Sequence, residues 1–266
     1  MLSSSRVEEE KTRRFRPATI SLRRTTVYRL PAEPRQHDLF GNLEPATAFR
    51  YPDDDLAFIS GYVDMIEVNS SFYRVPSPAA TASWCRRAAA QPGFFFTAKL
   101  HSAFTHEFSR DGAAAASFRH AFAPMLEAGV LRAVLAQFKY DFADSADARE
   151  HLRWVAAEFG RDTRLVLELR HRSWQNAATV ELLHELGAGV ALLDYPLGRD
   201  SFDAQLPLTP GDAYLRLHGR NREKWFARDV APHEPYNYDY PDAEIEELAG
   251  RSRAVLGQVR HLTIVA

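Results

Sequence analysis

The sequence predicts an α/β protein, a TIM-type (β/α) barrel whose first strand is weakly marked. Three observations predict it. Six apolar runs each end in charged or amide residues, helical patterns separate them, and residues two apart at their ends keep the polar side chains on one face. The runs are Asp64–Asn69, Phe94–Lys99, Ala133–Lys139, Arg164–Arg170, Gly189–Asp194 and Ala213–His218. A buried strand that closes with a charge costs free energy unless something there uses the charge. A parallel barrel gathers such strand ends around one mouth.

Residues 1–30 differ from the rest. Arg6, Lys11, Arg13, Arg14, Arg16, Arg23 and Arg24 alternate with Ser, Thr and the cluster Glu8-Glu9-Glu10. They read as a solvated, poorly ordered basic arm. Residues 31–266 read as one barrel domain. Thr25–Leu30 is a weakly patterned candidate for a first strand, and Pro31 to Pro52 is a long connection rich in Pro, Gly and Asn. A helix over Asp53 to Val63 then precedes the first clear strand. The next helix, Ser77 to Ala90, starts with a Ser N-cap and Pro at the first helical position. Helix Ser117–Ala128 ends at Gly129, Ala146–Phe159 at Gly160 and Asn176–Leu186 at Gly187, each a glycine placed as a helix stop. After Gly189–Asp194 comes an irregular piece with Pro196, Pro207 and Pro210. Strand Ala213–Gly219 opens a long loop, Arg220 to Pro241, before helix Asp242–Leu256 and a last apolar run, His261 to Ala266. Strands separated by helices at this spacing make a parallel sheet. A doubly wound sheet would carry a glycine-rich phosphate loop after an early strand, and this sequence has none.

Bulk properties exclude several classes. At 266 residues and 45% hydrophobic content the chain can bury a full core. Its net charge of −2 gives no global field for nucleic acid or anionic membrane. Cys85 is the single cysteine, so no intrachain disulfide forms and a reducing compartment fits. No run approaches the ~18–20 apolar residues of a membrane span, and no secretory signal is visible, which makes the cytoplasm the expected location. The oligomeric state stays open.

Strand parity locates the chemistry. Side chains at i and i+2 share a face, which groups Glu67 with Asn69, Thr97 with Lys99, Gln137 with Lys139, Glu168 with Arg170, and Tyr214 with Arg216 and His218. The opposite parity, Ile66, Val68, Leu167, Leu169, Leu215 and Leu217, is wholly apolar and must face helices. The polar set therefore faces the lumen. Lys99 ends an aromatic strand, where desolvation lowers a lysine's pKa and supports Schiff-base or acid–base chemistry, unless its ammonium pairs with Glu67 on the neighbouring strand. Arg170 suits a bidentate ligand anion. Glu67, Glu168, Asp194 and His218 could also hold a divalent metal from four strands, although interleaved cations oppose it. Trp225, Phe226, Tyr236, Tyr238 and Tyr240 crowd the long loop beside Arg220, Arg222 and Lys224, as in a lid that stacks on a ring or sugar.

At these residues the chain resembles the domain of unknown function 72 family, also called YecE-like. The matching segments are Glu67-Val-Asn-Ser-Ser-Phe-Tyr73, Phe96-Thr-Ala-Lys99 followed by Thr105-His106, Gln137-Phe138, Glu168-Leu-Arg-His171-Arg-Ser-Trp174, Tyr214-Leu-Arg-Leu-His-Gly219 and Tyr236-Asn-Tyr-Asp-Tyr240. The resemblance implies a TIM-barrel fold and leaves the reaction open. Against the family's pattern, no Gly-Trp first strand precedes Asp64, and the sequence stops at Ala266 where an Asn-Asn-His stretch and a closing helix would follow. Set against that pattern, the resemblance implies a barrel incomplete at its N-terminal first strand and lacking its last helix, with the outer face of the first and last strands uncovered.

The leading expectation is an enzyme that takes a small anionic or sugar-like ligand by acid–base chemistry. The catalytic candidates are Glu67, Lys99, Glu168, Asp194 and His218. The ligand-binding candidates are Asn69, Tyr73, His106, Gln137, Arg170, His171, Trp174, Arg216, Trp225 and Tyr238. In this scheme Arg170, Arg216 and Lys99 hold the anion, Glu168 and Glu67 move protons, and Asp194 with His218 orients them. The alternatives are a non-catalytic binder of nucleotide or single-stranded nucleic acid, with bases stacked on the aromatic loop, and a metal-dependent hydrolase or isomerase.

Overall fold

The structure, a computed structural model, describes residues 55–266 apart from 206–208, 210, 228 and 232. The basic arm, the candidate strand Thr25–Leu30, the connection Pro31–Pro52, the start of the first helix, Pro207 and Pro210 lie outside the described residues.

Helix α1 (Asp55–Ser60) leads into β1 (Met65–Val68), which turns directly into a 3-10 helix, Asn69–Phe72. The chain continues through α2 (Pro78–Ala88), β2 (Phe95–Lys99), the short α3 (Ser102–Thr105), α4 (Gly112–Glu127), β3 (Leu131–Gln137), α5 (Ala146–Phe159) and β4 (Arg164–Glu168). A 3-10 turn, Arg172–Trp174, precedes α6 (Ala177–Leu186) and β5 (Gly189–Asp194). Strand β6 (Asp212–Leu217) opens the long loop, which contains α7 (Arg222–Trp225) and a 3-10 turn, Glu234–Tyr236; α8 (Asp242–Leu256) and β7 (His261–Val265) follow.

Local chemistry accounts for the helix ends. Ser77, Ser145 and Asn176 each accept a backbone N–H three residues on, satisfying a donor that the first helical turn leaves free. Gly187 adopts φ +60° as the helix stop of α6. Helix α4 starts five residues before the expected Ser117. The Asp111 carboxylate accepts from the Ala113 and Ala114 N–H groups, and the alanines that follow are strong helix formers.

All seven strands are parallel and lie in sequence order, β1 to β7. Two contacts across the lumen show how far the sheet curls: the Tyr214 and Thr97 hydroxyls meet at 2.9 Å, joining β6 to β2, and Arg216 pairs with Glu67, joining β6 to β1. The result is a nearly closed TIM-type barrel. Among the described residues no strand pairs with the outer edges of β1 and β7. No helix among them is long and apolar enough to cross a membrane.

The sheet divides two cores. Val68, Leu167, Leu169 and Leu215 point outward into the large helix-facing core, with Ile66 and Leu217 packed against it, as parity predicts. Inside the barrel a small second core, Ala133, Leu135, Val166, Ala191, Leu193, Tyr195 and Tyr214, fills the lumen. This apolar floor excludes water beneath the polar residues that the same strands carry one or two positions later. It therefore fixes the depth at which the mouth's charges sit.

Candidate active site

Glu168 is the centre of the mouth. It ends β4 on the inward parity and is completely buried. Its Oε1 accepts from Arg170 Nε at 2.8 Å and from Gln137 Nε2 at 2.6 Å, with Arg170 Nη2 at 2.7 Å and His218 Nε2 at 3.3 Å within ion-pair distance. Its Oε2 accepts from Arg216 Nη1 at 2.7 Å. Burial alone would raise the carboxyl's pKa, but Arg170 and Arg216, aided by His218, hold it well below the usual carboxylate range. Arg216 spends its other fork on Glu67 Oε1 at 2.8 Å, and Tyr214 donates to Glu67 Oε2 at 2.8 Å. Burial pulls Arg216 down, yet Glu168 and Glu67 more than offset it, so the guanidinium stays charged. His218 is held neutral mainly by burial, against the pull of Glu168.

Lys99 is treated differently. It ends β2 on the same parity, is only 8% exposed, and rests its Nζ 4.2 Å from the centre of the Phe72 ring. Among the described residues no carboxylate lies within ion-pair distance of that amine, because Glu67 and Glu168 are committed to arginines. The alternative raised for this residue, a Glu67–Lys99 pair, does not form. Burial first, and then the neighbouring Arg216, lower the Lys99 pKa to about 8 against the pull of Glu168 and Glu67. The turn after β1 governs both ends of this residue. The Ser71 hydroxyl lies 2.6 Å from both the Lys99 and the Val68 carbonyl oxygens, while Phe72 supplies the ring under the amine.

Aromatic rings wall the rest of the mouth. His218, Tyr195, Trp225 and Tyr236 pack with ring centres 5.6–6.4 Å apart, and the Arg170 guanidinium stands 5.7 Å over Trp225. On the opposite side His106 packs against Phe72 at 4.8 Å. Burial, followed by Lys139, Lys99 and Arg170, lowers the His106 pKa, against the pull of Asp141.

Of the expected residues, the structure brings together Glu67, Lys99, His106, Gln137, Glu168, Arg170, Arg216, His218 and Trp225. Others fall elsewhere. Asp194 has the outward parity of its strand, as its register with Leu217 shows, and binds Arg220 and Tyr240 on the barrel's outer side. It therefore cannot orient His218 or complete a four-strand metal site. Arg216 also wedges between Glu67 and Glu168, and no group of three His, Cys, Asp or Glu side chains among the described residues could hold a metal. Trp174 is fully buried, with its indole N–H donated to the Phe142 carbonyl and its ring stacked on Phe142; it is core. Tyr238 points to Glu244 on α8, and Tyr236 occupies the place at the mouth expected for it. His171 caps the 3-10 turn through Ser173. Asn69 and Tyr73 are exposed, because the strand ends at Val68 and the pleat does not reach them.

Phe72, Tyr195, Tyr214 and Tyr236 were missing from the candidate residues. Parity puts Tyr214 in the lumen-facing set without giving it a role, and the same rule finds Tyr195; Tyr236 belongs to the aromatic loop read as a lid, and Phe72 sits on a turn, where no periodicity speaks.

Fold and mouth together define a TIM-type barrel with a buried, arginine-rich ion network at its C-terminal strand ends. The chain belongs to the family described as protein of unknown function DUF72, whose model matches residues 35–266. A DUF72 family protein from Thermotoga maritima MSB8 is similar in structure at 26% identity, TM-score 0.69, over 81% of this chain and 84% of that one. Another, from Enterococcus faecalis V583, has the same fold at 20% identity, TM-score 0.69, over 79% and 80%. No curated protein matches the sequence.

Proposed function

We propose that the protein is an enzyme that binds a small anionic or sugar-like ligand at the barrel mouth, with Lys99 as the group that takes and gives a proton. The observation that carries this is the buried Lys99 amine, which has no ion-pair partner among the described residues. A pKa of about 8 lets it work in either protonation state near neutral pH. The roles inferred from sequence are redrawn accordingly. Glu168, saturated by its cations, suits an electrostatic hub better than a proton acceptor, and Arg216, spent on two carboxylates, suits a positioning residue. Arg170 keeps Nη1 free of any bond among the described residues. It offers the ligand's anion a site near Lys99 and Arg216, three cations against the two carboxylates Glu67 and Glu168.

The aromatic wall of Tyr195, Trp225 and Tyr236 supports a ring or sugar face as the ligand's other half. It also favours a second reading, a non-catalytic nucleotide or single-strand binder, in which affinity would fall steeply with salt.

The test is calorimetric titration with inorganic phosphate and a panel of sugar phosphates. Saturable binding that Arg170→Ala weakens and Lys99→Met retains supports the reading. Failure of wild-type protein to bind any of them rejects it.

A further inference from the structure

We infer that Lys99 is an imine-forming nucleophile, and that the substrate is a small aldehyde or ketone carrying an anionic group. The inference rests on reading the mouth as an anion-binding active site, and it names what the amine reacts with.

The first support is the choice of side chain. Only four of the chain's 33 basic residues are lysines: Lys11, Lys99, Lys139 and Lys224. The rest are arginines, including every cation bonded to Glu168. If the mouth needed only positive charge at the end of β2, arginine would supply it with a better fork for carboxylate or phosphate. An arginine cannot shed its proton in a protein, however, and has no primary amine to add to a carbonyl. Where this chain uses lysine in a buried place, the distinguishing chemistry is that of a neutral amine.

The second support is geometry. The amine sits on the Phe72 ring, with no carboxylate within ion-pair distance among the described residues to lock it as an ammonium. Its carbonyl is held by Ser71, so the strand end that aims it is fixed. The apolar lumen floor lies below it and the aromatic wall closes the far side. A desolvated lysine beside another cation is the usual arrangement that activates an amine toward carbonyls.

The third support is charge. Arg216 and Arg170 both disfavour a positive charge on Lys99, and an iminium would meet the same repulsion. A substrate that brings its own anion to Arg170 offsets it, so a carbonyl compound bearing phosphate or carboxylate fits where a neutral one does not.

The step balances without any further reactant. The Nζ lone pair adds to the carbonyl carbon and gives a carbinolamine. The carbonyl oxygen then leaves as water with the two hydrogens of the amine, and a C=N bond joins substrate to Lys99. Imine formation acidifies the adjacent C–H, which connects this step to proton transfer at the same site.

The experiment is reduction with borohydride in the presence of dihydroxyacetone phosphate, followed by peptide mass mapping. The expected result is a saturable adduct on Lys99, competed by inorganic phosphate, absent with dihydroxyacetone lacking phosphate, and lost completely in both Lys99→Met and Lys99→Arg. An adduct confined to Lys11, Lys139 or Lys224 overturns the inference. Calorimetry on the same samples separates the two layers. Binding of dihydroxyacetone phosphate without an adduct on Lys99 overturns the imine and leaves the anion site standing; absence of both overturns the anion site and the imine together.

Discussion

Two ion networks sit one strand apart and do opposite work. On β4, Glu168 points inward and gathers Arg170, Arg216, His218 and Gln137 in a largely buried network. On β5, Asp194 points outward and gathers the Arg220 guanidinium and the Tyr240 hydroxyl, while Arg220 reaches on to Glu247 at the solvent edge. Both are carboxylates at the last position of a strand, and both meet arginine. The difference is a single step of parity. Inward, the carboxylate organises a cavity; outward, it fastens the long loop after β6 to the barrel wall. Charge at a strand end is thus not by itself evidence of chemistry, because the face it occupies decides.

The sharpest way to break this comparison is to remove the two carboxylates in turn. Glu168→Ala leaves Arg170 largely buried without a counter-charge and Arg216 with Glu67 alone, so denaturant unfolding should show a loss of about 3–5 kcal/mol. A loss under about 1 kcal/mol would mean that water reaches the network and that it is not closed.

Lys99→Met comes next, with the opposite sign. The folded state holds Lys99 at about 8, below the ordinary 10.5. Its protonation therefore opposes folding below pH 8, and stability climbs between pH 8 and 10.5 while the unfolded chain still keeps the proton. The variant should gain up to about 3 kcal/mol at pH 7 and lose that slope. Unfolding curves at pH 7, 9 and 10.5 measure both.

Asp194→Ala should cost about 1–2 kcal/mol and speed proteolytic nicking between residues 219 and 241. The Lys99 pKa, followed by NMR of the methylated protein, should not move. If it does move, the two networks are coupled and the contrast drawn here fails. The smallest effect belongs to Glu247→Ala, an exposed partner of Arg220 whose removal should change stability by at most about 1 kcal/mol.

The seven parallel strands could be read from sequence because each has its apolar run and most are separated by helices, although no helix among the described residues lies between β5 and β6. The inward set on β1, β2, β3, β4 and β6 could be read because the side-chain period of a strand is two. Asp194 was misplaced by the same rule left unapplied: its position at a strand end was read, but its parity relative to Leu193 was not. Trp174 and Tyr238 failed for a different reason. They lie on turns, where backbone direction is set by tertiary packing and no sequence period predicts which neighbour of a residue faces the mouth. The lone amine was half legible, since its desolvation follows from the aromatic strand while its freedom from Glu67 depends on Arg216 reaching across the lumen first.

One short turn carries a further consequence. Residues 69–72 grip Lys99 by its main chain through Ser71 and cushion its head with Phe72. A neighbouring segment can therefore tune how readily the amine gives up its proton without any change at position 99. Relatives that keep the lysine but vary Ser71 or Phe72 should differ in reactivity as instruments differ in tuning, with the string unchanged and the bridge moved.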